Sequence, residues 1–195
     1  MRRHITDGTD LAVEARFVDA IAPRGAVVLD IGCGHGSAVA ALRSRGHRAF
    51  GIDPTLEVLA VAHEFFDPDW FRTLAVEELP DDLATVGLPD RFDVVMMTGN
   101  VPAFLTAEAL GDAFARIAGL LAPGGQMVVG TSTFSRGGPA EQLEAAAGCG
   151  LTLAHRFADW HLGAAADESP WSVTAFRAPG VSAPVDGPDG VFVLA

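Results

Sequence analysis

Between residues 25 and 130, apolar runs of strand length alternate with segments whose apolar positions recur at helical spacing. This alternation predicts repeated β-α units around a parallel sheet. The first strand is expected over 26–31, a helix over 37–44 stopped by Gly46, and the next strand over 48–52. Pro54 and Thr55 open a helix through Phe65 and Phe66, with Leu56, Leu59, Val61 and Ala62 on its buried face. A short strand follows over 70–75, then a polar stretch, 77–91, with room for one short helix. The nearly unbroken apolar run 92–97 suits a central strand covered on both faces. Leu110, Phe114, Ile117 and Leu121 form one stripe of a helix over 106–121, and Pro123-Gly124-Gly125 separates it from a strand over 126–131. A helix over 139–147 and strands over 151–157 and 172–177 complete the pattern, the last two as a hairpin on one edge. Ahead of the first strand, 11–21 reads as a helix, and the Pro- and Gly-rich 179–195 reads as a loop or loosely attached extension in which 191–194 could pack.

A length of 195 residues suits one domain, expected over 1–178 with a helical segment over 1–24. No apolar stretch reaches the roughly 20 residues of a membrane-spanning helix, and the opening residues lack a signal-peptide core, so the expected location is cytoplasmic, without a membrane partner. The formal net charge is −12, Lys is absent, and the 13 Arg are scattered. Such a surface repels a polyphosphate backbone, which argues against nucleic acid as partner and leaves a small-molecule substrate. Cys33 and Cys149 stand alone, so neither a zinc cluster nor a disulfide framework is expected, and no metal site is assigned.

Chemistry concentrates in Val27-Val28-Leu29-Asp30-Ile31-Gly32-Cys33-Gly34-His35-Gly36, a strand that runs into a loop with glycine at alternate positions. Glycines let a ligand lie against the main chain. A dinucleotide loop spaced Gly-x-Gly-x-x-Gly would require glycine at Ser37, so this spacing disfavours NAD. Asp30 adds a carboxylate that would repel a pyrophosphate and attract an ammonium group. Asp53, at the end of the second strand in Phe50-Gly51-Ile52-Asp53-Pro54, stands where a carboxylate can accept hydrogen bonds from both hydroxyls of a ribose. Each aspartate could instead only cap the turn or helix that follows it.

With Asp30-x-Gly32-x-Gly34-x-Gly36, Gly51-Ile52-Asp53, Phe92-Asp93-Val94-Val95 and Leu121-Ala122-Pro123-Gly124-Gly125 in this order, the chain resembles the class I S-adenosylmethionine-dependent methyltransferases over about residues 25–178. The resemblance implies an α/β fold: a Rossmann-like three-layer sandwich around a mostly parallel seven-stranded sheet with an antiparallel last strand. It implies S-adenosylmethionine as cofactor and S-adenosylhomocysteine as product. The methionine part is expected over Gly32, Cys33, Gly34 and Gly36, the ribose on Asp53 beside Pro54, and the adenine near Val76, Glu77 and Glu78. Many relatives carry an Asp shortly before the Leu-Pro pair; here Ala75 and Val76 stand there, so Glu77 substitutes or the contact is made by backbone. Glu77 and Glu78 could equally be solvated acids at a helix start. Asn100 either shapes the cofactor pocket or caps a turn.

No catalytic residue is assigned, because methyl transfer chiefly requires nucleophile, methyl carbon and sulfur to be held in line. His161 is the first histidine to test as a base, His35 could approach a ligand from the loop, and Trp160, Trp171 and Phe134 could line an acceptor pocket; each also has a purely structural reading. The absence of a large insertion favours a small-molecule acceptor or an open site and leaves the helix over 11–21 to cover the cofactor. Small methyltransferases of metabolite or metalloid detoxification are compatible with the length. The alternatives are a non-catalytic domain that binds S-adenosylmethionine or S-adenosylhomocysteine and, behind it, an NAD(P)-dependent oxidoreductase.

Overall fold

The computed structural model describes residues 2–8 and 10–179. In chain order the elements are helices α1 (Arg2–Thr6) and α2 (Val13–Ile21), strand β1 (Val27–Ile31), helix α3 (Ser37–Ser44), strand β2 (Arg48–Asp53), helix α4 (Leu56–Phe65), strands β3 (Phe71–Thr73) and β4 (Phe92–Met97), helix α5 (Ala107–Leu120), strand β5 (Leu121–Ser132), helix α6 (Pro139–Gly148), and strands β6 (Thr152–Phe157) and β7 (Trp171–Arg177). The strands form one sheet in the order β3-β2-β1-β4-β5-β7-β6. β7 is antiparallel to both β5 and β6, while the pairs among β1 to β5 are parallel, so β7 alone runs against the rest. The expected late hairpin is there, and its second strand is inserted inside its first.

Alternation along the central strands builds three layers, because successive side chains point to opposite faces. Val28, Ala49, Val94, Met96, Val128 and Val173 pack on one face with Phe17 and Val18 of α2, Val39 and Leu42 of α3, and Leu59 and Ala62 of α4. Leu29, Ile52, Val95, Met97, Met127 and Val129 pack on the other with Leu110, Phe114 and Ile117 of α5 and Ala146 of α6. The near-continuous apolar run of β4 follows from this double coverage. Asp93, the polar residue inside that run, accepts a 2.8 Å hydrogen bond from the Val27 amide and ties the start of β1 to β4.

Two expectations change and a third gains its exact form. The strand expected over 70–75 shortens to Phe71–Thr73, because Pro68–Trp70 and Val76–Glu78 coil into 3₁₀ turns on either side. The short helix expected in the polar stretch 77–91 is a 3₁₀ turn, Leu83–Val86. Leu121, assigned by spacing to α5, begins β5, which runs through Pro123-Gly124-Gly125 with a register shift against β4 between Phe92 and Val94. The segment 180–195, including 191–194, lies outside the described residues.

The chain leaves β1 towards β2 and β3 and then returns to β4 on β1's other side. The connections therefore diverge at the carboxyl ends of β1 and β4, where open α/β sheets form a ligand crevice. α2 is held beside this point. Phe17 packs edge-on against Phe157 and Trp160, with ring centroids 5.8 and 5.5 Å apart, and Asp19 is hydrogen-bonded at 2.9 Å to Nε2 of the buried His47.

Candidate functional site

Two adjoining hollows, of about 440 and 380 Å³, open at these strand ends and share Gly32 and Gly99 in their walls. The first runs over the ends of β1, β2 and β3 and is lined chiefly by apolar groups, among them Pro54, Val58, Val76, Val101 and Leu105, with Asp53 and Glu77 as its ionisable members. The second lies between the glycine loop and α2 with its lead-in, and is lined by Asp10, Glu14, Asp30, Cys33, Gly34, His35, Ser37 and Thr98 among others.

Asp53 closes the first hollow. Its Oδ2 accepts from the Gly34 amide at 3.0 Å and its Oδ1 from the Thr55 amide at 2.9 Å, so it ties the glycine loop to the N-cap of α4. A carboxylate has about four acceptor positions, so two remain for a ligand's hydroxyls. The capping reading and the ribose reading are thus compatible. Val76 is buried at the hollow's floor and Glu77 is exposed on its wall, whereas Glu78 turns back to accept from the Ala75 amide at 2.9 Å.

Asp30 stands at the second hollow in the opposite condition. Its side chain is on the α2 face of β1, only 2% of the residue is exposed, and Oδ1 has no hydrogen-bond partner. Burial first, then the charges of Glu14 and Asp53, push its carboxyl well above the usual carboxylate range. Burial also raises Glu14, which is half-buried on α2. Asp10, by contrast, is held at about 2, chiefly by a 2.8 Å hydrogen bond from Arg16. Burial lowers His35, and Ser37 Oγ at the first turn of α3 has no partner.

The three loop glycines divide the work. Gly32, Gly34 and Gly36 all have φ between 55° and 76°, where L side chains are strained. A Cβ on Gly32 would meet Val101 at 2.4 Å and one on Gly36 would meet the Phe71 ring at 2.5 Å, so packing within the protein already demands glycine there. Only at Gly34 is the space over the main chain open. Gly36 lines neither hollow, and the Cys33 side chain packs against Gly51 and Phe71; burial pushes its thiol up, which keeps it from acting as a thiolate. Asn100 has φ 62°, and its Oδ1 accepts from Thr131 Oγ1 at 2.7 Å and the Ser132 amide at 3.0 Å. It therefore fixes the turn between Gly99 and Val101, both of which line the first hollow, without lining it itself.

His161 lies on an exposed turn, its amide donating to Asp159, and lines neither hollow. Trp160 packs on Phe17 and over Gly130, Trp171 is half-buried with Nε1 unpartnered, and Phe134 is exposed. Asp10, Glu14, Ser37 and Thr98 are the polar members of the second hollow that sequence reasoning passed over. The signal for Glu14 was present: it precedes Phe17 and Val18 by three and four residues and so falls on the buried stripe of α2. No group of three or more His, Cys, Asp or Glu able to hold a metal ion occurs among the described residues.

Residues 28–125, half of the chain, match a family model described as a methyltransferase domain. The chain is 30% identical to a TehB-like SAM-dependent methyltransferase from Corynebacterium glutamicum, with 90% of this chain and 92% of that one covered and a TM-score of 0.79. The CcbJ methyltransferase from Streptomyces caelestis shares the fold at 21% identity, with 85% and 94% covered and a TM-score of 0.71. So does the 1,6-didemethyltoxoflavin-N1-methyltransferase from Burkholderia thailandensis, solved with 1,6-didemethyltoxoflavin and S-adenosylhomocysteine, at 22% identity, with 90% and 84% covered and a TM-score of 0.62. No curated protein matches the chain.

Proposed function

The chain belongs to the class I S-adenosylmethionine-dependent methyltransferases, and on that premise we propose that it transfers the methyl group of S-adenosylmethionine to a small-molecule acceptor. The observation that carries this reading is the pair of hollows that meet at Gly32 and Gly99, with Asp53 at one end and the unpartnered Asp30 at the other. An apolar slot with one hydroxyl-binding carboxylate suits a nucleoside, and a neighbouring pocket with a buried acceptor atom suits an ammonium group. The residues present fit the cofactor on these grounds and on the open main chain at Gly34.

In this reading Asp53 holds the ribose, Pro54, Val76 and Glu77 border the adenine, and Gly32 and Gly34 with Asp30 receive the methionine end. Cys33 borders the second hollow within the loop, while Gly36 and Asn100 support the loop and the turn from behind. When bound, S-adenosylmethionine supplies a methyl group activated on a sulfonium, so the protein's task is orientation of acceptor, carbon and sulfur. Trp160 and His161 line neither hollow, and among the described residues α2 and its lead-in border the second one, an arrangement that suits a small acceptor.

The experiment is turnover of S-adenosylmethionine to S-adenosylhomocysteine across a panel of small amines, phenols, carboxylates, thiols and metalloid oxyanions, followed by mass spectrometry of both products. Methylation of one class establishes the reaction. Tight cofactor binding with no turnover across the panel would overturn it in favour of a non-catalytic cofactor-binding domain.

A further inference from the structure

We propose that Glu14, reaching from α2, joins Asp30 in a two-carboxylate seat for the α-ammonium group at the cofactor's amino-acid end. The inference rests on the cofactor reading above and adds a binding residue from outside the segment 28–125 that matches the family model.

Both carboxylates line the same hollow, and they come from elements far apart in sequence: Asp30 from the end of β1, Glu14 from the buried side of the helix that covers it. Asp30 Oδ1 is buried without a partner, a condition that leaves a strong acceptor unsatisfied unless a donor arrives. Glu14 forms no salt bridge among the described residues, although the carboxylate beside it on the lead-in, Asp10, is paired with Arg16 at 2.8 Å. Among the described residues the only basic side chain lining the hollow is His35, whose charged form burial disfavours. Glu14 lies close enough for its charge to reach Asp30: after burial, it is the largest influence on that carboxyl.

A buried carboxyl beside a half-buried one is costly to ionise, since among the described residues neither forms a salt bridge, and a ligand that brings a cation removes the cost. The chemistry selects an ammonium. It carries three N–H donors and can satisfy both carboxylates at once, whereas a sulfonium has none. A metal ion is disfavoured, since no set of three or more ligating side chains converges among the described residues. Ser37 Oγ, unpartnered at the first turn of α3, offers the same hollow a donor near a helix N-terminus, so that a zwitterionic amino-acid end meets partners of both signs.

The test is calorimetric titration of the full chain and of Glu14→Gln and Glu14→Asp with two probes: S-adenosylhomocysteine, and 5′-methylthioadenosine, which has the same nucleoside and a thioether but no amino-acid end. Glu14→Gln should weaken S-adenosylhomocysteine about tenfold, the loss expected for one charge-assisted hydrogen bond, and leave 5′-methylthioadenosine unchanged. Glu14→Asp should fall between. Equal binding of S-adenosylhomocysteine by wild type and Glu14→Gln would overturn this inference alone, as would equal weakening of both probes, which would reduce Glu14 to a packing residue of α2. Failure of the wild-type chain to bind S-adenosylhomocysteine would overturn the cofactor reading and this inference with it.

Discussion

Asp53 and Asp30 stand at the carboxyl ends of neighbouring strands, β2 and β1, in opposite circumstances. Asp53 accepts two backbone amides and is part of the scaffold before any ligand arrives. Asp30 is more deeply buried, faces a second acid, and has an oxygen with no partner. The first hollow is thus preorganised by the segment that matches the family model, whereas the second is bordered by α2 and holds an acceptor without a partner; in the proposed reading these receive the nucleoside and the amino-acid end. A fold can pass on the first half as geometry, because amide donors come with the loop. The second half is electrostatic and depends on which side chains the covering helix brings.

The comparison can be broken with ligands that report on one half each. The largest effect is expected from Phe17→Ala, which empties the contact that seats α2 on Phe157 and Trp160. It should cost about 3–5 kcal/mol in denaturant unfolding, and the remaining folded protein should lose affinity for S-adenosylhomocysteine more than for 5′-methylthioadenosine. Asp53→Ala removes charge-assisted bonds that both ligands need, so calorimetry should show both weakened on the order of 100-fold. Asp30→Asn should weaken S-adenosylhomocysteine about tenfold and spare 5′-methylthioadenosine.

The same variant also has a pH signature. Burial raises the Asp30 carboxyl in the folded protein, so the folded state holds its proton more tightly than the unfolded state. Wild-type stability should therefore fall as pH rises from the ordinary carboxylate range through the raised value. Asp30→Asn should remove that slope and melt higher than wild type at neutral pH without ligand. The smallest effect belongs to His161→Ala: an exposed turn residue outside the cleft, whose loss should change binding and turnover by no more than about twofold.

Much of this was legible along the chain because the sheet is covered on both faces. The run 92–97 and the helix 37–44 coincide with β4 and α3, since burial on two sides writes an unbroken apolar strand and a glycine-flanked helix leaves clear ends. The segments that differ are those without a periodicity of their own: 3₁₀ turns of three or four residues around β3, and the passage from α5 directly into β5 at Leu121, where a glycine-rich stretch still pairs with its neighbour. At the site, sequence marks Asp30, Asp53 and the glycines but not which glycine has open space over its main chain. Gly34 is distinguished from Gly32 and Gly36 by Val101 and Phe71, residues 69 and 35 positions away from the glycines they press on and not predictable as contacts from local pattern. Glu14 was passed over because a single acid on an apolar stripe gains meaning only when Asp30 is found beneath it.

The most direct measurement is calorimetric titration of the purified full chain with S-adenosylmethionine, S-adenosylhomocysteine and NADH. Saturable binding of the two methionine-derived ligands with no binding of NADH is the predicted result. Binding of NADH, or of none of the three, would contradict the account.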